Sequence, residues 1–377
     1  MIIALLICLF LLTLLFTGCI EEAKEPNEQE EIITSEMNLD QPSILPDWKN
    51  EEYHDYIVTS QMLKGFNIRY PDLVDVFIIG KSVLGRNIWC IKITNEKNKE
   101  IKSSCLIDGC IHGNEWEAGD ACLFLAEYLL INFDHNSTIT HTLNTSEVYI
   151  VPLLNPDGRQ RDERWNYNGV DLNRNFDIFF GKLRGYCLRL GKLFGRIKIP
   201  YIQFPRLDIW FSNCGKRAFS EPETQAIRDL MYELDLYTDF SFYVNCHTAV
   251  HTISASWLTA FPPFEMTQQE KNIIDHIFEW VKENTEYGTF RTRIKAGGIA
   301  NDWCFKEFRI PSFGFEILSQ DYEPFIGKGK HDNLVHWMKT TLPFFMYVLV
   351  NIDNLRQWKT PDIQPSLPEG VPPEPLK

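Results

Sequence analysis

The chain lacks both of the short patterns from which zinc sites are most often read. Its ten cysteines form no CxxC pair, and no HExxH occurs anywhere in 377 residues, which excludes a cysteine-bound zinc module and the HExxH type of zinc endopeptidase. No internal repeat is visible, so a solenoid or propeller is excluded as well. Positive charge is scarce in one stretch above all. Residues 21–40 hold eight acids against Lys24, and that segment carries half of the formal net charge of -14. An acidic chain of this kind is a poor partner for nucleic acid.

Charge of either sign is missing from residues 1–18, "MIIALLICLFLLTLLFTG", with Cys19 directly behind them. That reads as the apolar region of an export signal, and "LFTGC" resembles a lipoprotein signal that would leave Cys19 as the lipid-bearing N-terminus. No Lys or Arg precedes the run, so an uncleaved membrane anchor stays open beside it. Both readings place the folded part outside the cytoplasm, tethered through its N-terminus. Residues 19–49 read as an acidic disordered tether and 356–377 as an extended Pro-rich tail. Cys90, Cys105 and Cys122 lie in apolar runs as small core residues. Cys187 and Cys214 share one basic segment and are expected to form a disulfide in an exported chain.

Between tether and tail, residues 50–355 have the composition of one large domain, with 44% hydrophobic residues in the chain as a whole. The runs "VDVFIIG", "NIWCIKIT", "SSCLIDGC", "SEVYIVPLL" and "FSFYVNCHT" predict strands, and helical spacing recurs at about 53–66, 116–131, 221–236, 268–283 and 333–350. Alternation of the two predicts an α/β fold, a mixed twisted sheet covered by helices on both faces. Ligands in such folds sit where strands run out into loops. Four polar signals occupy such places: His112 after "SSCLIDGCI", "NPDG" after "VYIVPLL", His247 after "FSFYVNC", and Glu316 closing "IPSFGFE".

His112 and Glu115 admit two readings on their own. Asn114 with Glu117 forms a passable helix-capping pair, while a His and a Glu in one loop are also a typical close pair of zinc ligands, to be completed by a distant His. His247 is the best third ligand because it ends a strand; His251 is its rival, and His54, His135, His141, His276, His331 and His336 read as surface or helix residues. In "NPDGRQRDERWNYNGVDLNRNFD", residues 155–177, Arg159 and Arg161 read as a solvated basic turn. Asp171 is suited either to an Asx turn or to accepting the N–H of a metal-bound imidazole. Asn173 and Arg174 offer planar donors for a carboxylate.

Taken together, "HGNE", "NPDG", "R-x-N-x-NGVDLNRNF", "AFSEPET" at 218–224, a His after a strand, and "PSFGFE" at 311–316 occur in the order of the zinc carboxypeptidases of the A, B and T kind, and the chain resembles that family from about residue 50 to 350. The resemblance implies a single zinc-carboxypeptidase-like domain with one zinc ion held by His112, Glu115 and His247 and oriented by Asp171. It implies hydrolysis of the C-terminal peptide bond by zinc-activated water, with Glu316 as general base and Arg164 stabilising the oxyanion. Asn173 and Arg174 would hold the terminal carboxylate of a peptide or protein substrate, and Asn301 would face its last side chain. The chain is expected to act as a monomer.

Three departures from the family pattern stand out. Ile294 occupies the position of a lid tyrosine, the nearest tyrosine being Tyr287. Asn301 is neither the acid that suits basic ends nor the aliphatic residue that suits apolar ones. Residues 177–217 form an insertion with nine Lys and Arg against Asp177 and Asp208, a composition that suits either a membrane surface or a cleft rim. No activation segment is visible before the catalytic pattern. An amidase for cell-wall or otherwise modified peptides, or a non-catalytic peptide-binding lipoprotein, are the alternative functions.

Overall fold

A computed structural model describes residues 48, 52–181, 213–248, 250–257, 266–293, 297–318 and 334–356 of the chain. Contacts divide the chain into Met1–Met37 and Asn38–Lys377, and every described residue belongs to the second unit. The expected signal, the tether apart from Trp48, the tail from Gln357 on, Ile294 and most of the 177–217 insertion lie outside the described residues. Among those described, no helix is long and apolar enough to cross a membrane.

Strands and helices alternate, the first of them being α1 (Tyr56–Arg69), β1 (Val74–Lys81), β2 (Asn87–Ile93), β3 (Ser103–Asp108), α2 (Trp116–Asn132), α3 (Ser137–Thr145), β4 (Ser146–Val151) and α4 (Pro156–Arg161), of which α3 and α4 go beyond the expected elements. After these come α5 (Pro222–Tyr237), β5 (Asp239–His247), β6 (Thr252–Trp257), α6 (Gln268–Asn284), β7 (Gly288–Arg293), α7 (Ala300–Phe308), β8 (Ser312–Glu316), α8 (Leu334–Val350) and α9 (Ile352–Arg356). The strands form one mixed sheet in the order β1-β2-β4-β3-β5-β8-β6-β7, with β3 parallel to β4 and β5, and β8 parallel to β5. Every residue of β3 and nearly every residue of β5 is buried. Since successive side chains point to opposite faces, both faces of the sheet centre are covered.

Helix boundaries follow the local chemistry. Asp55 caps α1 by accepting from the N–H of Ile57 and Val58, and Thr267 with Glu270 forms a reciprocal capping box at α6. Asn155 caps α4 with Pro156 in its first turn, so "NPDG" starts a short helix rather than a bare turn. The expected Asn114–Glu117 pair does not cap α2, whose start has no side-chain cap. Glu117 instead accepts the Tyr53 hydroxyl at 2.6 Å.

The parallel centre places the C-terminal ends of β3, β4, β5 and β8 side by side, with His247 and Glu316 as register partners. The loop after β3 is pressed against α4: a Cβ on Gly113 would lie 2.0 Å from the Gly158 carbonyl carbon, so only glycine permits this backbone approach. Gly298, with φ +78°, does the same beside the Arg174 carbonyl.

Candidate metal centre

His112 leaves the loop after β3, Glu115 stands at the start of α2, and His247 ends β5. Their ligand atoms lie within 4.8 Å of one another, and all three residues are buried. Glu115 sits between the imidazoles: Oε1 is 2.7 Å from His112 Nδ1 and Oε2 is 2.9 Å from His247 Nδ1. The outer nitrogens are engaged elsewhere, His112 Nε2 with Asp171 Oδ1 at 3.0 Å and His247 Nε2 with Asn245 Oδ1 at 2.5 Å. Each ring can therefore donate its Nε2–H outward and turn the Nδ1 lone pair inward, the arrangement a metal-binding imidazole needs. Two nitrogens and one carboxylate are the protein donor set of a catalytic zinc. The residues fit the ion.

The electrostatics agree. Burial works against the ionised form of Glu115, yet His112 and His247 hold its carboxyl well below the usual range. Asp171 is likewise kept well below it, burial being overcome by Arg164 and His112. Glu316 goes the other way: burial, reinforced by the nearby Glu115, raises its pKa against the pull of His247. The two neighbouring carboxyls thus differ, Glu316 binding its proton more readily and Glu115 giving it up more readily than an ordinary carboxyl.

Arg164 faces this centre from the loop after α4, donating from Nη1 to Glu115 Oε1 at 3.1 Å and from Nε to Asp171 Oδ2 at 3.2 Å. Asp171 also caps the short turn Leu172–Arg174 by accepting the Asn173 N–H, so the Asx turn and the contact to His112 Nε2 occur together. Asn173 sits between His247 and the first turn of α7, where its Oδ1 accepts the Ala300 N–H at 2.8 Å. Arg174 is partly exposed and donates to the Asn173 carbonyl at 2.6 Å. Asn301 is buried at the start of α7, its amide nitrogen without a hydrogen-bond partner among the described residues.

Other residues do not join the centre. His251 has φ +50° and sets its ring edge-on to Tyr287 at 4.3 Å, away from the triad. Tyr287 is buried, its hydroxyl 2.8 Å from Thr340 Oγ1, so it is a core residue and supplies no lid. Cys214 is disulfide-bonded, whereas Cys187 lies outside the described residues. Cys90, Cys105 and Cys122 are buried free thiols, as expected.

Two expectations are corrected. Arg159 is not solvated: it is fully buried, paired with Asp120 at 2.9 Å, donating to the His54 carbonyl at 2.7 Å and lying 3.7 Å over the Trp116 ring. His54 is buried too, with Nδ1 2.6 Å from Asp120. A charge in a short helix can be buried when residues distant in sequence accept from it, and here the His54 carbonyl, Asp120 and Cys110 Sγ do so. Asp108, Tyr243 and Asn245 were also missed, although each is a polar residue inside an apolar strand and so carries a signal of its own.

Comparison with known proteins bears on the same residues. The chain is 27% identical to carboxypeptidase A6 of Mus musculus over 325 residues, covering 81% of this chain and 69% of that protein. It is 34% identical to Mus musculus carboxypeptidase D over 136 residues, or 33% of this chain and 10% of that much longer protein. Among solved structures, thrombin-activatable fibrinolysis inhibitor superposes with TM-score 0.65 at 19% identity, covering 87% of this chain and 80% of that one. Carboxypeptidase A from Helicoverpa armigera gives 0.63 at 19%, covering 88% and 80%; both share the fold. The zinc carboxypeptidase profile matches residues 59–328, a span that contains every residue of the centre just described, and the chain belongs to that family of zinc metallopeptidases.

Proposed function

We propose that this protein is an extracytoplasmic zinc carboxypeptidase that hydrolyses the C-terminal peptide bond of peptides or proteins. The observation that carries the reading is the buried triad of His112, Glu115 and His247 with Glu316 opposite His247 in the ladder. When bound, zinc supplies a Lewis acid for the scissile carbonyl and brings the pKa of water toward neutrality. Glu316 takes the water's proton and returns it to the leaving amine, for which its raised proton affinity suits it. Arg164 donates to the oxyanion as it forms, a contribution of about 3–4 kcal/mol for one such donor. Asn173 and Arg174 hold the substrate's terminal carboxylate, which limits cleavage to chain ends. Asn301 favours a terminal side chain that accepts a hydrogen bond, because an aliphatic one would leave its buried amide nitrogen unpaired.

The test is release of amino acids from a mixed set of peptides by the purified full chain, before and after chelation and zinc readdition. Zinc-dependent release from the C-terminal end alone is expected. Release from peptides with D- or side-chain-linked ends only would replace this reading with the amidase, and one bound zinc without any release would leave a binder. Export and tethering are tested by the membrane fraction: Cys19→Ala is expected to free the protein from it, and unchanged retention would favour the uncleaved anchor.

A further inference from the structure

Tyr243, Asn245 and His247 alternate along β5, so their side chains leave the strand on one face. Asp108, at the end of β3, is the register partner of Asn245. It accepts two short hydrogen bonds, from the Tyr243 hydroxyl at Oδ2 and from Asn245 Nδ2 at Oδ1, and both Asp108 and Asn245 are fully buried. With both oxygens of Asp108 accepting, the amide is turned with its nitrogen toward Asp108 and its oxygen toward His247. That oxygen is the one 2.5 Å from His247 Nε2.

Asn173 approaches the same nitrogen with the opposite polarity. Its Oδ1 is committed to the Ala300 N–H at 2.8 Å, which leaves Nδ2 as the atom 3.1 Å from His247 Nε2. One imidazole nitrogen thus meets a lone pair from Asn245 and an N–H from Asn173, and it can satisfy only one of them. If Nε2 carries the proton, it donates to Asn245 and Nδ1 is free to bind a metal. If Nε2 accepts from Asn173, the proton sits on Nδ1, where the metal must be.

We infer that Asn245, aligned by Asp108 and Tyr243, is a positioning residue that selects the metal-binding tautomer of His247 against the competing amide of Asn173. The choice also keeps the Asn173 N–H groups off the imidazole and available to a substrate carboxylate. This inference rests on the reading of His247 as a zinc ligand.

The experiment measures zinc affinity of the full chain by chelator competition, with zinc content per chain and the melting temperature of the zinc-free protein alongside. Asn245→Ala is expected to weaken zinc binding about 10- to 100-fold. Adding Asn173→Asp to that variant is expected to recover most of the loss, because one carboxylate oxygen then keeps the Ala300 N–H and the other accepts Nε2–H, as Asp171 does for His112. A cavity left by a purely structural residue would not be repaired in this way. Wild-type zinc affinity in Asn245→Ala, or a double variant no tighter than the single, would overturn the inference. Should Asn245→Ala fail to fold, Asp108→Asn frees the amide to turn over and is expected to weaken zinc about 10-fold; unchanged affinity there has the same negative meaning. Wild-type zinc affinity in His247→Ala would instead show that the ligand assignment itself is wrong.

Discussion

His112 and His247 offer the same nitrogen to the same carboxylate, yet the two halves of the centre are held in different ways. The His112 half is built from loop and charge: Asp171 takes the outer nitrogen, Arg164 bridges Asp171 and Glu115, and behind it Arg159 ties α4 to Asp120. The His247 half is built from strand register: β5 presents the ring, β8 places Glu316 opposite it, and an amide rather than a carboxylate takes the outer nitrogen. Charge orients strongly but must be neutralised wherever it is buried, while register costs nothing extra once the sheet has formed. The two halves should therefore fail differently.

The largest effect is expected on the strand side. Glu316→Gln keeps the shape and removes the proposed base, so kcat/KM should fall at least about 10³-fold, near the middle of what a positioned base contributes, while one zinc per chain remains bound. Loss of the zinc together with the activity would put Glu316 among the ligands and break the proposed division of labour. Next comes the anchor of the loop side. Arg159→Met leaves Asp120 buried without its guanidinium, a loss of about 3–5 kcal/mol and on the order of 10 °C in melting temperature. Calorimetry of the zinc-free protein measures it. An unchanged melting temperature would mean that this ion pair does not support the loop.

A third change separates charge from shape at the first histidine. Asp171→Asn keeps an oxygen near His112 Nε2 but gives up the charge that Arg164 and His112 share, and zinc affinity should fall about 10- to 100-fold. An effect as small as that of a surface substitution would show that an amide suffices on both sides, and the contrast between the halves would disappear.

The same contrast explains what could be read before the structure was known. His112, Glu115, His247 and Glu316 were legible because each follows an apolar run in a recognisable motif, and the strand ends then had to converge. The five long helices among the described residues and the central strands were legible from their periodicity. Asp108 and Asn245 were not, because their pairing exists only through the β3–β5 register, which joins residues far apart in the chain. Arg159 was misread for a related reason: nothing near it in sequence announces Asp120 or the His54 carbonyl as partners. Strands β6 and β7 carry Thr, Ser and Arg in place of long apolar runs, so the pattern that marks the central strands is absent from them. Short-range patterns reveal elements and motifs, whereas the polar contacts between elements depend on tertiary placement.

Glu117 lies where the two halves meet, accepting the Tyr53 hydroxyl on one oxygen and lying 3.4 Å from Thr248 Oγ1 with the other, while the Thr248 N–H reaches Glu115 at 3.2 Å. Burial pushes its pKa from 4.5 up to about 7, against the hydrogen bond from Tyr53. A folded-state pKa above the unfolded one means that the protonated carboxyl is the form the fold favours. Its stabilising contribution is complete below about pH 4.5 and is lost as pH rises through about 7. Glu117→Gln, neutral at every pH and able to meet both hydroxyls, should therefore gain on the wild type between pH 5 and pH 8, by on the order of 1–2 kcal/mol. Melting temperatures of the two proteins across that range measure the gain. A difference that stays constant would mean that Glu117 is ionised throughout, and the junction between the loop half and the strand half would then be a charged contact rather than a neutral one.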